Sequence, residues 1–436
     1  MKIKFKLSVA GIATGILLAN QAGAANTWTE ARGDAMGGTG VASAHYSSGV
    51  LINPALLAKS KAEDDVAIIF PSVGAQISDK DNLQDKIDEI SDEISADREM
   101  IDDLTVARIL ADPQGTLSEL QGAAGNLADQ LEFLEGKTAH GNAGAGIAVS
   151  IPGSGLSLAF VAKANAHARI SSEIDQQDIA FLRRLQGNAG MTNQMALGAA
   201  RNGSDVITRN LNSVAMGRAA IVSDYGVAVA RQFDFNGLPV SVGVTPKLQQ
   251  TWLYNYTTSI YTYDSSDFNS SRNRNDDTSF NVDVGVAVDF GESWTVGLSG
   301  QNLFSRDIDT NDIRILNGRT GQEVSYQDTY QIRPLVTAGV AWHTGLLTLS
   351  ADGDLTKTRG FRSEEDSQYV GVGAEVSLLR WLAVRGGFRG DVKGNDSNVF
   401  TGGFGFAPFN TVHIDLTGIY GEDETWGAGA QFSVTF

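Results

Sequence analysis

The side chains of this chain that could do chemistry are five histidines, at 45, 140, 167, 343 and 413, and 51 acidic residues. Metal-dependent hydrolysis on a helix needs two histidines one turn apart with a glutamate between them, and no HExxH occurs. A serine hydrolase of the elbow type needs GxSxG, which is also absent. Cysteine does not occur, so thiolate metal sites, CxxC redox pairs and disulfides are excluded. Asp79, Asp81 and Asp85 suggest calcium, but an EF-hand needs Gly at loop position six and Glu at twelve, where Gln84 and Ile90 stand. The acidic stretch 79–103 therefore reads as a solvated helix face. No catalytic residue, metal ligand or cofactor is assigned. A net charge of −18 leaves no basic footprint for nucleic acid.

The remaining chemistry is conformational. Glycines 33, 37, 38, 40 and 49 lie close together near the start of the chain and allow tight backbone turns. Asn53-Pro54-Ala55 follows them, where proline fixes φ and removes a donor. Pro246 stands inside a long alternating segment, where it costs one ladder hydrogen bond.

These residues must be positioned by strands. In Trp426–Phe436 every second residue is apolar (Trp426, Ala428, Ala430, Phe432, Val434, Phe436) and the others are small or polar. Successive strand side chains point to opposite faces, so one face meets lipid and the other water. The same alternation marks 65–71, 141–151, 155–171, 216–233, 238–263, 278–290, 294–305, 329–343, 346–357, 367–378, 382–391, 398–406 and 411–420. Charges fall on the polar parity, as a barrel requires: a lipid-facing midplane charge costs about 2–4 kcal/mol. Short turns alternate with long loops. The reading is an all-β transmembrane barrel of about 14 antiparallel strands, both termini on the periplasmic side and the last strand closing against 65–71. Aromatic residues gather at strand ends as two interfacial girdles, Phe233, Phe290, Trp294, Trp342, Phe406, Phe409 and Phe436 at one and Phe280, Phe304, Tyr369, Phe400, Tyr420 and Trp426 at the other.

Two loops depart from period two. In 79–134 apolar residues recur at helical spacing on both sides of Asp112-Pro113-Gln114-Gly115, which predicts a helical hairpin whose seams face each other. Loop 172–215 carries a weaker helical signal around Ile179–Leu185. Both inserts belong on the outer side. The first 24 residues read as a signal peptide: Lys2, Lys4 and Lys6, an apolar run from Leu7 to Ala19, and Ala22-Gly23-Ala24 as the cleavage site. The domains are thus a signal peptide (1–24), an N-terminal segment (25–60) and an outer-membrane barrel (61–436) of a Gram-negative bacterium.

Ala31-Arg32-Gly33, Ala35-Met36-Gly37-Gly38-Thr39-Gly40-Val41-Ala42 and Asn53-Pro54-Ala55-Leu56-Leu57 resemble the start of the FadL-like superfamily of outer-membrane transport proteins. Gln301-Asn302-Leu303-Phe304 at a strand end is similar too, and the helical insert resembles the branch known as conjugal-transfer TraF-type proteins. The resemblance implies a 14-stranded barrel plugged by a hatch, with Gly37, Gly38, Gly40, Asn53, Pro54 and Ala55 in its gating segment. It implies passive transport of a hydrophobic small molecule, such as a long-chain fatty acid, through an apolar lumen pocket. It also makes Pro246 a candidate lateral opening, against a position above the membrane where water satisfies the ladder. The alternative is an envelope or conjugation-associated barrel whose helical loop binds a protein partner. Outer-membrane lipid is a partner in either case.

Overall fold

The computed structural model describes residues 29–60, 65–153, 155–203, 205–262, 270–408 and 411–436; the expected signal peptide and Phe409 lie outside them. Fourteen antiparallel strands close into one barrel. They are β1 Ala67–Ser78, β2 Thr138–Ile151, β3 Ser157–Glu173, β4 Val214–Phe235, β5 Leu238–Ser259, β6 Arg274–Phe290 and β7 Trp294–Gln301. The series continues with β8 Leu335–His343, β9 Leu347–Asp354, β10 Tyr369–Leu379, β11 Leu382–Asp391, β12 Val399–Phe406, β13 Val412–Gly421 and β14 Trp426–Thr435. The seam joins β1 to β14, from Ala67↔Thr435 to Ile77↔Trp426. No described helix is long and apolar enough to cross a membrane.

The outward face of β5 shows why the sheet sits in lipid. Leu238, Val242, Val244 and Leu248 are all exposed. Ten steps of about 3.3 Å, tilted about 40°, span roughly 25 Å along the axis, the height of a barrel's apolar band. Aromatic rings bound that band. Trp294 packs near Trp342 and Trp381 near Phe406 at the short-turn rim, while Phe280 meets Phe304 and Phe388 meets Phe400 at the other. At the short-turn rim β4 passes to β5 through Asn236 and Gly237, both with positive φ (54° and 81°), the backbone of a two-residue hairpin turn.

Several expected boundaries shift for identifiable reasons. The first strand does not stop at 71. A bulge between Ile69 and Ser72 reverses its parity, and the strand runs on to Ser78. The segment expected as one strand over 329–343 is two: 329–332 pairs with 306–309 outside the barrel, and β8 begins after Pro334. The strand expected over 294–305 leaves the ladder at Asn302, which has φ of 54°. Tyr369 is not a girdle residue; its ring turns inward, and its hydroxyl donates to Asp396 at 2.8 Å.

The long-loop rim carries a helical cap. Helices α1 Leu83–Asp102, α2 Val106–Ala111 and α3 Pro113–Leu134 come from the first loop, and α4 Gln176–Gly187 and α5 Ala189–Asn202 from the second. Asp112 caps α3 through the Gly115 N–H (2.9 Å), with Pro113 in its first turn. The seams of the first insert do not face only each other. Ile90, Ile94, Leu120 and Leu131 share one core with Phe181, Leu182, Leu185 and Ala196 of the second.

Candidate functional site

Residues 29–60 fill the lumen. Met36, Thr39, Asn53, Ala55 and Leu57 are fully buried. Gly37 and Gly38 take positive φ (73° and 77°), which bends the segment sharply beneath β10 and β11. The inward parity of the wall is glycine where this plug touches it. A Cβ on Gly371, Gly373 or Gly387 would overlap the backbone of Met36 or Gly37; on Gly297 it would overlap Val41; on Gly243, Pro54; and on Gly285, the Asn53 side chain. These glycines replace side-chain filling by direct backbone packing. Gly285→Ala is accordingly expected to unseat the Asn53 end of the plug while the barrel still folds. Single-channel recording in planar bilayers should show ionic conductance above that of the parent protein, and an unchanged trace would refute the docking role.

Polar anchors complete the plug. Arg32 Nε and Nη2 each donate to Glu375 at 2.9 Å, and Glu375 accepts again from Arg385 (2.6 Å), which also reaches Asp415 (2.5 Å). The Gly40 and Val41 N–H groups donate to one oxygen of Asp352 at 2.7 and 2.8 Å. Thr39 and Ser350 share a hydroxyl–hydroxyl bond of 2.6 Å. Asn53 Nδ2 donates to the Val41 carbonyl (2.8 Å), and its Oδ1 accepts from Ala55 N–H (3.1 Å), so it caps the 3-10 turn Pro54–Lys59. Gln301 Nε2 donates to the Ile52 carbonyl at 2.9 Å. The structure thus brings Gly37, Gly40, Asn53, Pro54 and Ala55 to the wall, with Gly38 returning its N–H to the Gly33 carbonyl (2.9 Å).

Pro246 faces outward on β5, between exposed Val244 and Leu248. The β4–β5 ladder pairs Val229↔Val244 and Gly226↔Lys247 in one register, and the two pairs between them are missing. Behind this gap Lys247 Nζ donates to Asp224 (2.7 Å), Asp283 (3.0 Å) and Asn302 Oδ1 (2.8 Å). The strand defect therefore backs onto buried charges.

Above the plug lies a vestibule of about 560 Å³. Its lining is polar, which corrects the expected apolar lumen pocket. His140 and His167 project from neighbouring strands, paired in register with Arg169 and Asn142. His167 Nε2 is 3.0 Å from both oxygens of Glu364, and its Nδ1 is 2.9 Å from Asn142 Oδ1. His140 Nε2 meets Asp396 at 3.1 Å. Burial raises the pKa of Asp396, but the hydrogen bond and charge of His140 outweigh it and hold the carboxyl well below its usual range. Burial acts likewise on Glu364, and the adjacent His167 holds it below the usual value. These pairs join strands to loops 197 and 256 residues away, a separation that no local spacing reveals.

The apolar cavity lies in the cap. A cleft of about 70 Å³ opens between α1, α3, α4 and α5, lined by Ile94, Leu120, Leu182, Leu185, Met195 and Ala196. Periodicity marked α1, α3 and α4 but not α5, nor the packing of the two inserts against each other. Among the described residues, no cluster of His, Asp and Glu is arranged to hold a metal.

Solved structures share this architecture. The Ralstonia pickettii toluene transporter TbuX is 10% identical, with 94% of this chain and 97% of that one covered and a TM-score of 0.50. A deltaS2S3 mutant of TodX, a monoaromatic hydrocarbon channel, is 10% identical, with 94% and 99% covered and a TM-score of 0.52. At such identity the likeness is one of fold. No curated protein matches the chain. Residues 50–354 match the family model described as "F plasmid transfer operon, TraF, protein", and with most of the chain inside that match, the protein belongs to this TraF family.

Proposed function

We propose that the protein is a passive outer-membrane transport barrel for a small, largely apolar molecule, with no enzymatic activity of its own. The observation that carries this reading is the apolar cleft in the cap, held over the lumen of a closed barrel whose plug is a separate, non-covalently seated segment. A cleft lined by aliphatic side chains gains from removing apolar surface from water, about 25 cal/mol per Å². Its size suits the end of an alkyl chain or part of an aromatic ring. The ligand then passes through the vestibule and leaves past a displaced plug, whose gating segment is Gly37, Gly38, Gly40, Asn53, Pro54 and Ala55. Pro246 is a ladder defect rather than an exit, because an apolar solute crossing there would meet Lys247, Asp224 and Asp283. The fold shared with TbuX and TodX, a toluene transporter and a hydrocarbon channel, supports the class.

The test is to fill the cleft. Ala196 is buried against it, and Ala196→Leu places three more carbons there. The full-length variant in detergent should bind the fluorescent apolar probe N-phenylnaphthylamine about tenfold more weakly than the parent, a loss of about 1.4 kcal/mol. Equal affinity in a variant that keeps heat-modifiable gel mobility would remove the cleft from the pathway.

A further inference from the structure

The vestibule has a chemistry that an apolar cargo does not explain. Tyr330 forms part of its floor and is 0% exposed, its ring edge-on to Phe361 with 5.2 Å between centroids. Its buried hydroxyl has no hydrogen-bond partner among the described residues. Thr358 Oγ1, beside it in the same floor, is also buried and unpartnered. Both residues also line a smaller polar chamber of about 40 Å³ that continues downward, where Asn165 Oδ1 is a third unpartnered atom. A buried polar atom without a partner costs about 1–3 kcal/mol, so three of them along one passage mark where a ligand's polar groups belong.

The walls indicate which polar groups. Glu364 and Asp396 are already engaged by His167 and His140, Lys80 pairs with Asp423, and Arg389 reaches Gln76. The lining as a whole carries four basic side chains (Lys80, Arg169, Arg359 and Arg389) against five carboxylates (Asp81, Glu364, Glu365, Asp396 and Asp423), so neither sign dominates. The vestibule as a whole therefore favours neither a multivalent anion nor a cation. The orphan atoms differ in need: Asn165 Oδ1 requires a donor, whereas the Tyr330 and Thr358 hydroxyls can give or take. An alcohol group supplies both functions at once. A hydrocarbon would leave all three atoms unsatisfied, and a site built to hydrogen-bond strongly rejects analogues lacking the group. A volume of about 560 Å³ lies within the range of small-molecule pockets.

We propose that the vestibule is a binding site for a small, hydroxyl-rich solute of mono- or disaccharide size, recognised by the Tyr330 and Thr358 hydroxyls at its floor and by the paired histidines of its wall. This site is separate from the apolar cleft and does not depend on it.

Saturation-transfer NMR on the full-length protein in detergent, with glucose, maltose, glucuronate, acetate and toluene as probes, tests the assignment. At least one of the three sugars should give saturable transfer. Tyr330→Phe should weaken that sugar about five- to tenfold, the equivalent of one hydrogen bond. Thr358→Val should act in the same direction, and it keeps the test decisive if the tyrosine variant fails to fold. Binding of N-phenylnaphthylamine at the cap should be unchanged in both variants, which separates failure here from failure of the transport reading. No sugar binding, binding by acetate or toluene alone, or full sugar affinity in both variants would overturn the proposal.

Discussion

A variant carrying Thr39→Cys and Ser350→Cys should, once oxidised, admit N-phenylnaphthylamine into intact cells no faster than cells lacking the protein, and reduction should restore entry. The two native hydroxyl oxygens are 2.6 Å apart, one on the plug and the other on β9, so cysteines in their place bring two sulfur atoms into each other's neighbourhood. The chain contains no other cysteine, and the engineered bond is the sole cross-link that can form. Its position is chosen for leverage. It lies between the left-handed Gly37-Gly38 bend and the Gly40 and Val41 N–H groups that grip Asp352, so it fixes the part of the plug whose shift would open a path. The native anchors are non-covalent, each hydrogen bond worth a net of about 0.5–1.5 kcal/mol, and a partial shift is within reach of ligand binding. A disulfide is not. If complete cross-linking leaves probe entry unchanged, transport does not use plug displacement.

The second large effect is expected at Asp178, far from the plug. Its carboxylate is 0% exposed. It accepts from the N–H groups of Asn212 and Ser213 (both 2.7 Å), the Ser213 hydroxyl (2.6 Å), Tyr261 (3.2 Å) and Arg319 Nη1 (2.6 Å). One side chain thus ties α4, the end of the second insert, the segment after β5 and the hairpin that follows β7. Asp178→Ala removes the acceptor of two backbone N–H groups and of the Ser213 and Tyr261 hydroxyls, while Arg319 keeps its pair with Asp175; each buried donor left unsatisfied costs about 1–3 kcal/mol. Limited proteolysis should show cleavage within 176–213 and 314–325 while the barrel retains heat-modifiable mobility. Because these loops roof the apolar cleft, N-phenylnaphthylamine binding should fall with cap order. Protease resistance equal to the parent would show that the apolar core holds the cap unaided.

Much of the barrel was legible because a strand has a period of two and lipid punishes every misplaced charge. Val282, Val284, Val286 and Val288 share one parity in the sequence, and Val284 and Val286 are exposed on the outer face of β6. The bulge at Ile69–Ser72 was hidden, since an extra residue makes a strand read as two shorter patterns. Tyr369 was misplaced because an aromatic ring at a strand end suits either an interfacial girdle or a lumen, and only its Asp396 partner decides. The glycine-rich start and Asn53-Pro54-Ala55 could be found in the sequence, but the matching glycines of the wall could not be interpreted. Gly285 on a polar parity looks the same whether it faces water or Asn53. The vestibule was illegible for a different reason: His167 and Glu364 are 197 residues apart, and nothing local couples them. The cap's cleft needed two loops, of which only one carried a strong period.

The glycine-to-backbone fit between plug and wall also bears on how the molecule is built. Arg32 meets Glu375, 343 residues later, and the slots that hold Met36 and Gly37 lie in β10 and β11, among the last strands made. Contacts of such sequence separation form late and slowly. The N-terminal segment thus waits for its slots until β10 and β11 are in place, and seating of the plug is expected to be among the last events of folding, after the wall that holds it.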